Sequence, residues 1–181
     1  LTQDGFMETT VGRILFNIAI PNDFGFVNET LKKKSMTKLI GKLLRRYGQA
    51  ALPPILDKIK TIGFEYTTRS GMSWGMDDLT VPPQKYDLIK EALKEVEILD
   101  EQYGNGLLTE EERYDKVISV WSAVKQRVAE LIPKTLDPQG SVYAMVDSAA
   151  RGSWDSVTQM AGMKGLTRNP SGRIIEYPIL S

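Results

Sequence analysis

Apolar residues recur every three or four positions through much of the chain, the spacing of helices that bury one face. The clearest case runs from Pro82 to about Ile132. Its first arm carries Tyr86, Ile89, Leu93, Val96, Leu99 and Tyr103, and its second carries Tyr114, Val117, Trp121, Val124, Val128 and Leu131. Two such stripes joined by Gly104-Asn105-Gly106 predict an antiparallel helical hairpin closed along one seam. Pro82-Pro83 precedes the first arm. Thr109 and Glu112 have capping-box spacing at the start of the second. At about 1.5 Å per residue, the arm from Gln84 to Tyr103 would be roughly 30 Å long, enough to project from a small body.

Earlier in the chain, residues 8–20 are apolar and β-branched up to Pro21, a run too short for periodicity to separate helix from buried strand. An amphipathic helix is predicted over Glu29–Tyr47, with Leu31, Met36, Leu39, Ile40, Leu43 and Leu44 on one side and Gly48 as its stop. A shorter helix, roughly Pro53–Ile62, is predicted to end at Gly63. Residues 64–81 lose helical spacing and are rich in threonine, serine and glycine, so extended structure or an ordered loop is expected. After the hairpin, Pro133–Gly140 reads as a linker. Asp155–Gly165 reads as a short helix dissolving into glycine, and Asn169–Gly172 as a turn before a strand-like run, Arg173–Ser181. The fold expected is therefore mainly α, a small helical body with a projecting hairpin and short irregular or β segments near 64–81 and 173–180. Domain organisation follows as a body over 1–81, a hairpin over 82–132, and a linker with its sequel over 133–181. The opening on Leu1 and the uncapped strand-like end suggest a piece of something longer.

Composition narrows the chemistry. The 181 residues contain no cysteine and no histidine, which removes thiol nucleophiles, disulfides, imidazole-based catalysis and the usual structural zinc sites. Formal net charge is zero, so global charge supplies no argument for nucleic-acid or membrane binding. Charge is nevertheless uneven. Between Glu95 and Arg113 there are seven acids and one base, and a tip that acidic belongs in water or against a basic partner. Lys32, Lys33, Lys34, Lys38, Lys42, Arg45 and Arg46 form a basic helix face, which reads first as a solvated surface. No apolar run approaches a membrane span. No catalytic loop motif occurs, and the adjacent acids Asp77-Asp78 are a weak metal signal. Arg151, beside glycines at 152, 162, 165 and 172, is a candidate for contact with phosphate oxygens, weighed against an ordinary surface salt bridge.

Several stretches are distinctive: ETTVGRILFN from Glu8, GFEYTTRSG from Gly63, Asp77-Asp78-Leu79 with Pro82, GLLTEEERYDKVISVW from Gly106, Asp147–Ser153, Gln159–Leu166 and Pro170–Ile179. Collinear over nearly the whole chain, they resemble the largest (β′) subunit of bacterial DNA-directed RNA polymerase. The resemblance implies the funnel of the secondary channel, with the hairpin as its rim helices. Transcript-cleavage and related coiled-coil regulators would dock at Glu110, Glu111, Glu112, Arg113, Tyr114, Asp115 and Lys116. Arg151 would approach the triphosphate of the incoming nucleotide, reversing the salt-bridge preference. Residues 154–179 would form the F-loop, with Gln159, Gly162, Met163, Lys164 and Gly165 in its core motif. Implied partners are the β, α and ω subunits, the rest of β′, nucleoside triphosphates, DNA and RNA in the cytoplasm.

The family's Asn-Ala-Asp-Phe-Asp-Gly-Asp motif, which holds Mg²⁺ for nucleotidyl transfer, is absent. No catalytic or metal residue is expected here, and the segment alone should be silent. Asp115 replaces a frequent asparagine where an alarmone nucleotide binds in some bacteria. Ala149 stands where glycine is common, Thr158 where a basic residue is frequent, and Lys164 where arginine is frequent. The rival reading from another class is a freestanding helical-hairpin adaptor that binds a basic partner through its acidic tip.

Overall fold

The computed structural model describes residues 5–180, which fall into two compact units meeting in sequence at Ser73 and Trp74. Six α-helices and one two-stranded sheet occupy the described residues.

In the first unit, α1 spans Val11–Ala19, resolving the ambiguous run as helix. Thr10 caps it by accepting from the Arg13 N–H, which an isolated buried strand of the same residues would leave without use. Asn17 ties the helix to the following loop, its amide donating to Val27 O at 2.9 Å and accepting from Val27 N at 2.8 Å. α2 spans Lys33–Ser70 as two rods that meet at Gly48, whose φ of 77° breaks the helix where a stop is expected. Ile20, Leu39, Leu43 and Ile55 form this unit's core. The Tyr47 hydroxyl donates to Asp23, and that bond, more than any other influence, holds the Asp23 carboxyl below its ordinary pKa.

The second rod corrects the expected boundaries. It runs past Gly63 to Ser70 and ends at Gly71 in the left-handed region, so residues 64–70 are helical rather than extended. Local pairs explain why. Arg69 bridges Glu65 one turn earlier at 2.9 Å and lies over the Tyr66 ring. The Thr68 hydroxyl, which suggests a strand by composition, instead donates to Phe64 O. Beyond Gly71 the chain is irregular, with a 3₁₀ turn over Met76–Asp78. There the Asp78 carboxylate accepts from Gly75 N–H, so this acid serves a local turn.

In the second unit, α3 (Gln84–Gly104) and α4 (Glu110–Thr135) form the predicted hairpin, with Gly106 at φ 73° in its loop. The seam of α4 is as expected at Val117, Trp121, Val124 and Val128, but at its end Ile132 is buried in place of Leu131. That of α3 is rotated. Ala92 and Leu99 are its buried apolar residues, flanked by Leu88, Ile89 and Val96, whereas Tyr86, Leu93 and Tyr103 lie exposed. A small alanine in a seam that must also hold Trp121 lets the two backbones approach, which a larger residue would prevent. α4 also runs through Pro133 to Thr135, so the linker starts at Leu136. Pro133 sits in the last turn, where its missing donor removes one bond at most.

α5 (Ser141–Asp147) and α6 (Trp154–Val157) follow, then a π-helical turn over Thr158–Gly162. β1 (Gly165–Arg168) pairs antiparallel with β2 (Ile174–Ile179) across the Asn169–Gly172 turn. The strand-like run thus finds its partner within the chain. Two clusters share α4 as their floor. Leu99, Val117, Trp121, Val128 and Met163 belong to one, and Ile132, Leu136, Val142, Val146 and Val157 to the other.

Candidate functional site

Arg151 lies on the turn between α5 and α6. Ser148 starts that turn, its hydroxyl donating to Met145 O and accepting from Ala150 N–H. Ala149 (φ 57°) and Gly152 (φ 76°) are both left-handed and bracket Arg151. Ala149 is the only non-glycine among the described residues with positive φ, at the position where the resemblance expects glycine. Ser153 then caps α6 by accepting from Ser156 N–H at 3.2 Å. The exposed Arg151 lines a cavity of about 100 Å³ whose walls are apolar, among them Trp74, Leu79, Val142, Val146 and Met160. A cation at the edge of an apolar recess is poorly screened on one side, which strengthens its pull on an anion.

The residues expected in the F-loop play different parts. Gly162 is buried against α4, where a Cβ would lie 2.7 Å from Val128 Cγ1. Gly165 has φ 79° and would bring a Cβ to 3.0 Å from Lys125 Cδ. Met163 is completely buried in the hairpin cluster. These three fasten the loop to α4. Gln159 and Lys164 face solvent, Gln159 bonding Asp155 at 2.7 Å. Thr158, where the resemblance expects a basic residue, is buried and satisfies its hydroxyl on Trp154 O.

The residues expected at the rim also divide. The capping box forms as predicted: Glu112 N–H donates to the Thr109 hydroxyl, while Thr109 N–H donates back to the Glu112 carboxylate at 2.9 Å. That backbone bond is the main reason the Glu112 carboxyl sits below its ordinary pKa. Arg113 turns inward, reaching Glu176 of β2 at 2.7 Å and Asp100 of α3 at 3.2 Å. The bond to Glu176 holds its guanidinium still more firmly protonated. The Tyr114 hydroxyl donates to Ile174 O at 3.0 Å, and Arg173 stacks over the Tyr114 ring at 4.6 Å. Glu110, Glu111, Asp115 and Lys116 remain exposed. Glu112 is exposed as well, so five of the seven are accessible, while Arg113 and Tyr114 hold the sheet onto the hairpin.

Arg151 belongs to the other end of α4. It follows α5, whose core partner Ile132 lies 19 positions beyond Arg113, roughly 28 Å along the helix axis. Pocket and rim are therefore separate sites on one scaffold. Sequence reasoning missed β1 and the Arg113–Glu176 pair. The alternation Leu166-Thr167-Arg168 before the Asn169–Gly172 turn was the available sign of β1. The pair spans 63 positions and left no local sign.

Two domain profiles match this chain: "RNA polymerase Rpb1, domain 3" over residues 2–79, and "RNA polymerase Rpb1, domain 4" over residues 108–179. The scaffold is thus that of the Rpb1-type polymerase domains. Similar proteins include the DNA-directed RNA polymerase subunit beta' of Pelotomaculum thermopropionicum, 45% identical over 175 residues, which covers 97% of this chain and 15% of that subunit. The corresponding subunit of Desulforamulus reducens is 42% identical over 173 residues, covering 96% and 15%. That of Dehalococcoides mccartyi is 42% identical over 175 residues, covering 97% and 14%. The chain belongs to the family of the β′ subunit of bacterial DNA-directed RNA polymerase and corresponds to a segment of it. It spans about 15% of the length of these relatives. Among the described residues no helix is long and apolar enough to cross a membrane.

Proposed function

We propose that this segment serves a cytoplasmic DNA-directed RNA polymerase as part of the wall and rim of the channel through which nucleoside triphosphates enter. In this reading it assembles with the β, α and ω subunits and the rest of β′ around DNA and RNA. Arg151 meets the triphosphate, and the exposed acids Glu110, Glu111 and Asp115 receive the basic tips of coiled-coil regulators. The observation that carries the reading is the exposed Arg151 guanidinium at an apolar recess, held by two left-handed residues within a stretch characteristic of the family. Alignment across nearly the whole chain with β′ relatives favours this over a freestanding adaptor.

Nucleotidyl transfer itself is assigned to Mg²⁺ held elsewhere in the parent subunit. Among the described residues no three carboxylates converge on one point, and the chain has no histidine or cysteine to add. The segment alone is therefore proposed to be inactive, and its contribution is to bind and orient. Arg151→Ala in the assembled polymerase tests this. Loss of a charge-assisted contact of about 1.5–3 kcal/mol should raise KM for nucleotides roughly 10- to 100-fold without loss of assembly. Arg151→Lys should recover part of it, since lysine keeps the charge and loses the fork. Unchanged nucleotide kinetics would remove the assigned role.

A further inference from the structure

The neutrality of the whole chain conceals a division by unit. Through Ser73 there are eleven lysines and arginines against six acids, and from Trp74 onward twelve against seventeen. Positive charge in the first unit gathers on the first rod of α2, where Lys34, Lys38, Lys42 and Arg45 are all exposed. At 3.6 residues per turn these four fall within an arc of about 80° and extend over about 16 Å of helix axis. The arc is turned away from Leu39 and Leu43, the buried residues of the same rod, by about 100° and 140° at its centre.

The acids of this unit that form ion pairs do so away from it. Asp23, Asp57 and Glu65 pair with Arg46, Lys60 and Arg69. Among the described residues no ion pair reaches the four cations of the arc. Gly41 borders the arc, and Arg45 folds back along the helix toward it. Arg45 Nε donates to Gly41 O at 3.2 Å, and its Nη2 lies 3.9 Å from where a Gly41 Cβ would stand. The Arg45 guanidinium thereby lies along the helix beside Gly41, at the edge of the arc.

We infer that this stripe is a docking surface for the phosphate backbone of a nucleic acid, independent of base sequence. Four cations stepping along one helix face suit a chain of regularly repeated negative charges. The arc carries no aromatic side chain for base stacking, so contact is with phosphates alone. An acidic protein surface is the poorer match, because protein interfaces are depleted in lysine at their centres and draw their energy from buried aromatic and arginine anchors. The inference does not depend on the channel reading of Arg151.

The test uses the 181-residue chain, its helicity checked by circular dichroism, and a labelled oligouridylate of about 12 nucleotides read by fluorescence anisotropy. Four neutralised phosphates predict a log–log salt slope of about −3, or roughly a 50-fold loss of affinity between about 50 and 200 mM salt. A 12-base-pair DNA duplex in the same assay distinguishes the two sources of phosphate, since its slope per contact is about −0.9 rather than −0.7. Lys38→Glu with Lys42→Glu should weaken binding at least tenfold and flatten the slope by about 1.4. Lys58→Glu with Lys60→Glu, the same charge change on exposed positions of the second rod, should leave affinity within twofold. Equal losses in the two pairs, or polyglutamate binding as tightly as the oligonucleotide, would overturn the inference.

Discussion

Gly162→Ala is the sharpest structural test of how the π-helical turn over Thr158–Gly162 is held against α4. The added methyl would stand 2.7 Å from Val128 Cγ1, with Thr158 Cγ2 at 3.5 Å and Ile132 Cδ1 at 3.6 Å. Carbon atoms pack best about 3.5–4.0 Å apart, so the first contact is close to an ångström too short. Val128 cannot yield easily. It is wholly buried, and a valine in a helix is confined largely to one χ1 rotamer. The π-helical turn must therefore lift from α4, disturbing Met163 and Ala161 with it. Overpacking of this kind costs about 1–3 kcal/mol, of which up to about 1 kcal/mol is offset by alanine's better helix propensity. Net destabilisation of about 1–2 kcal/mol should lower the melting temperature of the second unit by roughly 5–10 °C. Intrinsic fluorescence reads that unit selectively, because Trp74, Trp121 and Trp154 all lie in it. Val128→Ala made together with Gly162→Ala should show coupling, the pair costing less than the sum of the single variants. A Gly162→Ala chain that melts at or above the parent temperature would refute the close approach.

Four further outcomes are expected. Ala149→Gly should raise stability by about 1 kcal/mol in urea unfolding, by relieving the left-handed backbone at φ 57°. Arg113→Ala should cost about 1–2 kcal/mol and speed amide exchange across Ile174–Ile179 before the rest of the hairpin, because β2 loses its anchor at Glu176. Glu110→Lys with Glu111→Lys, which spares the capping carboxylate of Glu112, should slow association of a basic-tipped regulator with the polymerase and reverse its salt dependence. Lys85 is buried to 5% exposure, and desolvation places its pKa below the ordinary 10.5. The unfolded chain then binds this proton more tightly, so stability should rise with pH between the folded pKa and 10.5. Titrated unfolding should show that rise in the parent and not in Lys85→Met.

The hairpin was legible because every signal agreed: two stripes, a glycine-rich loop and the Thr109–Glu112 box all sit on neighbouring residues. Residues 64–70 were misread because Thr67 and Thr68 look β-forming by composition, whereas hydroxyl back-bonding and the Glu65–Arg69 pair favour helix. The α3 seam was misread because a count of large apolar residues passes over Ala92. The division of the rim into accessible acids and inward anchors depends on Glu176 and Ile174, far away in sequence. The basic stripe was discounted on whole-chain neutrality, a sum that hides opposite excesses on the two units.

Isolation of the native polypeptide carrying these residues tests the central claim most directly, through its intact mass and its co-purifying chains. The account predicts a mass several times 20.3 kDa, with the other polymerase subunits present in fixed proportion. A native chain near 20.3 kDa that purifies without polymerase subunits would contradict it.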